Sequence, residues 1–127
     1  MKDIVRTSKL FTSRRPFSNG VRAGNQLYVA GQLPVDGEGR TVGAGDVRRQ
    51  TRQVLDNIRA VVEAAGGTLA DVVKTTVYLI DMSDHAAVNE VYVEFFPAEF
   101  PARTTVQVAA LAPAMAGEGS PFLVEID

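Results

Sequence analysis

Arg103 and Glu125 are the side chains of this sequence whose settings best suit chemistry. Arg103 follows Pro101-Ala102 and opens the run Arg103-Thr104-Thr105-Val106-Gln107-Val108. Strand alternation puts Arg103, Thr105 and Gln107 on one face of that run and Thr104, Val106 and Val108 on the other. At the mouth of a strand a side chain reaches out of the packed core. A guanidinium beside a hydroxyl there is a ready carboxylate clamp, because its planar fork donates to both oxygens in parallel. The other reading is a salt bridge, within the chain or between chains, to one of the acids of this half. In the last segment Phe122, Val124 and Ile126 alternate with Leu123, Glu125 and Asp127. A carboxylate in a partly desolvated sheet site has a raised pKa and is suited to passing a proton, although a solvated terminal strand would place a Glu there equally well.

The remaining candidates are weaker. His85 falls in the first turn of a helix, where exposure is expected, and no Ser, Cys or acid at triad-like spacing accompanies it. Gly37, Gly39, Gly43 and Gly45 lack the Lys-Ser/Thr ending of a phosphate loop. Arg48, Arg49, Arg52 and Arg59 interleave with Asp56 and Glu63, as on a solvated, ion-paired helix face. With no cysteine and a single histidine, the chain has no material for a disulfide framework, a thiolate nucleophile, an iron–sulfur cluster, or a thiolate or multi-histidine metal site. Neither metal nor organic cofactor is expected.

The 127 residues suit one domain, 1–127, with 46% hydrophobic residues to build its core. The net charge of -2 hides an asymmetry: residues 1–64 hold 11 cations and 6 acids, whereas residues 65–127 hold 2 cations and 9 acids. The basic residues are dispersed and lack an aromatic stacking strip, which argues against nucleic acid as a partner. In the acidic half only Lys74 and Arg103 are cationic. The longest apolar run, Val108 to Gly117, is broken by Pro113 and is far shorter than a membrane span of ~20 residues. The start, Met1-Lys2-Asp3-Ile4-Val5-Arg6, has no secretory apolar core, so a cytoplasmic protein is expected.

The elements that must position these residues follow from the hydrophobic period. A strand from about Phe17 to Arg22 and another over Leu27 to Leu33 form a hairpin around Gly24-Asn25, and Pro34 to Gly45 reads as a surface loop. From Asp46, a cap, the stripe Val47, Thr51, Val54, Leu55, Ile58, Val61, Val62 and Ala65 predicts a helix stopped by Gly66-Gly67. Thr68 and Asp71 suggest a capping turn into a strand from Val72 to Ile80. Ser83 or Asp84 caps a second helix through about Phe96, with Val88, Val91, Tyr92 and Phe95 on its apolar side, ended by Pro97. A strand from Arg103 to about Leu111, a small-residue loop from Ala112 to Ser120 and a strand from Phe122 to Asp127 complete a ββαβαββ order, an α+β domain. Two helices cover one sheet face. Val73, Thr75, Val77 and Leu79 alternate with Thr76, Tyr78 and Ile80, so the second face is also apolar or Thr-bearing and calls for a homo-oligomer.

The run Phe100-Pro101-Ala102-Arg103-Thr104-Thr105-Val106-Gln107-Val108-Ala109-Ala110-Leu111, with Val29-Ala30-Gly31-Gln32-Leu33-Pro34 and Val73-Lys74-Thr75-Thr76-Val77-Tyr78-Leu79, closely resembles the RidA/YjgF family, also labelled L-PSP endoribonucleases. The resemblance extends from about Pro16 to Glu125. It implies a chorismate-mutase-like homotrimer in which three sheets form a central barrel and the sites lie in clefts between chains. It also implies hydrolysis of reactive enamines and imines to keto acids and ammonia without a cofactor. On this chain Arg103 would bind the substrate carboxylate, and Glu125 with the backbone at Thr105 would hold or activate the attacking water. The Gly31 backbone would line the pocket, and Asn89 matches a family position near the cleft.

Three positions depart from the well-matched deaminases: Phe17 replaces a Tyr, Ala30 a Ser, and Thr105 a frequent Cys. Two hydroxyls are thereby missing, and the pocket at Phe17 and Ala30 is more apolar, suited to a bulkier or different ligand. The loop from Ala112 to Ser120 looks longer than in those deaminases. A carboxylate-binding protein without catalysis and an endoribonuclease are the competing readings. The latter lacks a histidine pair for phosphodiester cleavage.

Overall fold

The computed structural model describes residues 1–113 and 120–127. Its elements are β1 (Lys2–Val5), β2 (Gly20–Ala23), β3 (Gln26–Val29), α1 (Val47–Ala64), β4 (Lys74–Leu79), α2 (His85–Phe95), β5 (Ala102–Gln107) and β6 (Val124–Ile126), with short 3-10 turns at Leu69–Asp71 and Met82–Asp84. The domain is α+β with two helices, as expected, but the strands form two three-stranded sheets, ordered β1-β2-β3 and β5-β4-β6. Backbone bonds between Gln32 and Ile126, 2.8 and 3.2 Å long, join the sheets.

The order ββαβαββ omits a strand. Lys2–Val5 pairs antiparallel with Gly20–Ala23, and a four-residue segment of this composition becomes a strand because β2 offers it an edge. Other elements are shorter than the hydrophobic runs suggest. The strand expected from Phe17 begins at Gly20, that expected to reach Leu33 ends at Val29, and that expected to reach Leu111 ends at Gln107. Of the expected loop from Ala112 to Ser120, residues 114–119 lie outside the described residues.

Helix α1 forms as its pattern dictates. The Asp46 carboxylate accepts from the backbone N–H of Arg48 and of Arg49, satisfying two donors of the first turn. At the other end Gly66 adopts φ +92°, the left-handed conformation that stops a helix at little cost only for glycine. Thr68 and Asp71 form the anticipated capping box. For α2 the expected cap needs correction. Asp84 occupies the N-cap position without a side-chain bond, and Asp81 instead caps the preceding 3-10 turn through the Ser83 N–H. The arginines of α1 are also paired differently from the intrahelical pattern: Arg48 and Arg52 reach Glu90 and Glu94 of α2, while Arg59 pairs with Asp56.

Both helices pack on one side of the β5-β4-β6 sheet. Val54, Leu55 and Ile58 of α1 meet Val88, Val91 and Tyr92 of α2 over Val77, Leu79, Val124 and Ile126. Strand β4 alternates accordingly: Thr75, Val77 and Leu79 are buried, whereas Lys74, Thr76 and Tyr78 face away. Two buried amides of α1 fix the irregular segments. Gln50 donates to Gly43 O and Pro121 O and accepts from Leu123 N–H; Asn57 donates to Leu33 O and Val35 O.

Candidate active site

Strand β5 runs parallel to β4, with Arg103 beside Thr75 and Thr105 beside Val77. Arg103, Thr105 and Gln107 therefore share the face on which α2 lies. Along α2, His85, Asn89 and Tyr92 follow one another at helical spacing and form a single stripe. That stripe meets Arg103. Its Nη2 donates to Asn89 Oδ1 at 2.7 Å and contacts His85 Nε2 at 3.2 Å, and the guanidinium carbon stands 4.8 Å from the centroid of the Tyr92 ring. The Tyr92 hydroxyl is bonded in turn to Thr75 Oγ1 at 2.8 Å, with both residues buried. Ring stacking and hydrogen bonds thus orient the guanidinium from β4 and α2 together.

Among the described residues, none of the ion pairs involves Arg103. An intrachain salt bridge therefore does not account for it here, and the fork keeps an uncompensated charge for an incoming anion. Gln107, farther along the same face, accepts from the Met82 N–H and ties the turn before α2 to β5.

His85 is not the fully exposed residue its position suggests. It is half-buried against Arg103 because α2 crosses β5 at its first turn. Tyr92, read from the sequence as core, is both core and a platform for the guanidinium. The spacing His85, Asn89, Tyr92 is the signal that carries both facts, but only once α2 is known to face β5.

Glu125 lies on the other side of the sheet. It pairs in register with Tyr78, between the fully buried Val124 and Ile126, so its side chain projects away from the helices. Burial pushes its carboxyl above the ordinary range, and the charge of Asp127 adds to the shift. The carboxylate lies over Gly31, in the space that a Cβ there would occupy. Gly31 immediately precedes the Gln32–Ile126 junction, which is why the loop after β3 passes this close to β6. On the same open face Tyr78 donates to Asp127 Oδ2 at 3.1 Å, and Lys74 Nζ donates to Thr76 Oγ1 and Thr104 Oγ1. Val106 is exposed there. Ala30 is half-buried and donates its N–H to Asn19 O, whereas the Phe17 ring is 51% exposed.

The candidate residues thus fall into two groups. Arg103, Thr105 and Asn89 stand together on the helix side of β5, and Gly31 and Glu125 stand together on the open side. The sheet separates them within one chain.

Residues 7–126 match the family model described as Endoribonuclease L-PSP. A RutC family protein of Pyrococcus horikoshii is 48% identical over 111 residues, 87% of this chain and 88% of the relative. The crystal structure of RidA from an Antarctic Psychrobacter is 42% identical, with a TM-score of 0.85 over 98% of this chain and 94% of that one. Escherichia coli TdcF, solved with bound serine, is 35% identical with a TM-score of 0.86 over the same shares. No helix among the described residues is long and apolar enough to cross a membrane.

Proposed function

Since this chain belongs to the endoribonuclease L-PSP family, in which the Rid and YjgF proteins fall, we propose that it hydrolyses reactive enamine and imine intermediates to keto acids and ammonia. The observation that carries this reading is the Arg103 guanidinium, oriented by Asn89, His85 and Tyr92 and free of any carboxylate partner among the described residues. Such a fork grips the carboxylate of a 2-imino acid in two parallel bonds. The serine bound in TdcF supports a small carboxylate as the kind of ligand.

Arg103 and Glu125 are on opposite faces, so the site is assembled between copies of the chain in a homotrimer. One protomer supplies Arg103, Thr105 and Asn89; a second supplies Glu125, Gly31, Phe17 and Ala30. The raised pKa of Glu125 suits it to take a proton from water as the oxygen adds to the imine carbon. The same proton, returned to the nitrogen, lets the carbon–nitrogen bond of the tetrahedral intermediate break. Ammonia leaves and the carbon becomes the carbonyl of a 2-keto acid. The backbone at Thr105 shares in holding the water. Positioning is the main contribution asked of the protein, because the imine carbon is already electrophilic.

The test is to generate 2-imino acids of several side-chain sizes with an amino-acid oxidase and follow their loss. The wild type is expected to consume them faster than buffer does, and Arg103→Ala and Glu125→Ala to lose that advantage. No acceleration by the wild type for any side chain would sink the proposal.

One observation favours a second reading, a carboxylate-binding protein without catalysis: Phe17 and Ala30 carry no hydroxyl toward a ligand. An oxyanion-type hydrogen bond lost at the transition state costs about 2.7–4 kcal/mol. If binding without turnover is the function, the wild type binds 2-keto acids in calorimetry yet leaves every imino acid untouched.

A further inference from the structure

Nη2 of Arg103 is doubly engaged, by Asn89 Oδ1 at 2.7 Å and by His85 Nε2 at 3.2 Å. A guanidinium has only donors, so His85 Nε2 is the acceptor and the neutral ring carries its proton on Nδ1. Each terminal nitrogen of an arginine bears two protons. Those of Nη2 serve the two edges along which a guanidinium grips a carboxylate, one shared with Nε and one with Nη1. With both Nη2 protons committed, neither edge is complete. The longer contact, to His85, is the one that yields to an incoming carboxylate.

We propose that His85 is a displaceable partner of Arg103 whose protonation is coupled to carboxylate binding. The carboxylate takes the Nη2 proton that His85 held. His85 then takes a proton from solvent and, as an imidazolium, donates to the same carboxylate. A cationic ring beside a bare guanidinium is unfavourable, and beside a guanidinium bearing an anion it is favoured. By linkage, the ligand raises the ring's proton affinity and the proton raises the ligand's affinity by the same factor.

Nothing on the surrounding elements takes over this role. On the preceding turn Asp81 accepts from the Ser83 N–H and Asp84 makes no side-chain cap bond. From β4 the side chain facing Arg103 is Thr75, committed to Tyr92. From α1 come Arg48 and Arg52, paired with Glu90 and Glu94 on another face of α2. From β5 come Arg103 itself and Gln107, held by Met82 N–H.

The inference rests on Arg103 as the carboxylate site and adds a positioning residue that sets its pH response. The test is calorimetric titration of the assembled protein with 2-oxobutanoate, in buffers of different ionisation enthalpy, at about pH 5.5 and about pH 7.5. These values bracket the range near ~6.5 in which an imidazole ordinarily titrates. Wild type is expected to bind roughly ten-fold more tightly at the lower pH and to take up a proton on binding at the higher one. His85→Phe removes the acceptor and the titration; His85→Gln keeps an acceptor that cannot titrate. Both are expected to lose the proton uptake and most of the pH dependence, His85→Gln binding like wild type at the higher pH. Proton uptake that persists in both variants, or is absent in wild type, overturns the inference. If Arg103→Ala abolishes binding but the His85 variants keep the wild-type pH profile, the carboxylate site stands and only the role of His85 falls. If wild type binds no 2-oxobutanoate at either pH, both fall.

Discussion

Arg103 and Glu125 stand back to back across the β5-β4-β6 sheet, the first beside Thr75 on the helix side and the second beside Tyr78 on the open side. Residues divided by a sheet cannot hold one substrate within a single chain. They can do so where the edge of one copy meets the open face of another.

Complementation tests this arrangement. Arg103→Ala and Glu125→Gln are each expected to be inactive alone. Refolded together from denaturant in equal amounts, they should recover roughly a quarter of the wild-type rate, because one mixed interface in four joins an intact Arg103 to an intact Glu125. A mixture that stays inactive while co-assembling would place the site within one chain.

Gly31→Ala should act on Glu125 alone. The added Cβ collides with the Glu125 carboxylate on the open face and leaves the Arg103 cluster untouched. The rate constant for imine hydrolysis is expected to fall about a hundred-fold, in keeping with loss of a positioned proton-transfer group. Affinity for a 2-keto acid should change much less. Equal loss of both would mean that the substitution disturbs more than the carboxylate.

Glu125 also marks the stability curve. Its carboxyl titrates higher in the folded chain than the ~4.3 of a free Glu, so its ionisation opposes folding. The penalty is absent below the unfolded value, develops as pH rises through the folded one, and persists above it. Glu125→Gln removes it. The variant should therefore have the higher denaturant midpoint at pH ~7, with the gap closing toward pH ~4. Asp36, Asp81 and Glu90, whose carboxyls are held below the ordinary range by hydrogen bonds, pull the other way in both proteins and cancel in the comparison. A wild type more stable than the variant at neutral pH would contradict this account.

Gln50 is fully buried and bonded to Gly43, Pro121 and Leu123. Gln50→Ala strands two carbonyls and an N–H away from solvent, at about 1–3 kcal/mol for each buried group left unpaired. A loss of about 3 kcal/mol in chemical denaturation is expected, against less than about 0.5 kcal/mol for the exposed Gln26→Ala. Equal effects at the two positions would rule out the staple.

The sequence made the scaffold legible where a local rule decides the outcome. Asp46, Gly66 and the Thr68–Asp71 box end their elements as their chemistry requires, and alternation alone assigned Arg103 and Glu125 to their faces of the strands. It failed where a distant partner decides. Lys2–Val5 is a strand because Gly20–Ala23 lies alongside. The contact of His85 with Arg103 depends on how α2 crosses β5, which no local pattern specifies. Gln50 and Asn57 left a readable trace, since both sit three residues past an apolar member of the α1 stripe, where a polar residue must find buried partners.

The junction between Gln32 and Ile126 has a mechanical meaning. It is the backbone bonding recorded between the two sheets among the described residues, and it adjoins both Gly31 and Glu125. A seam of so few bonds is a natural line of parting, like the perforation between two stamps. Shear along it shifts the proton-handling face of the domain while leaving Arg103 anchored between β4 and α2, so substrate capture and turnover are carried by parts that can move independently.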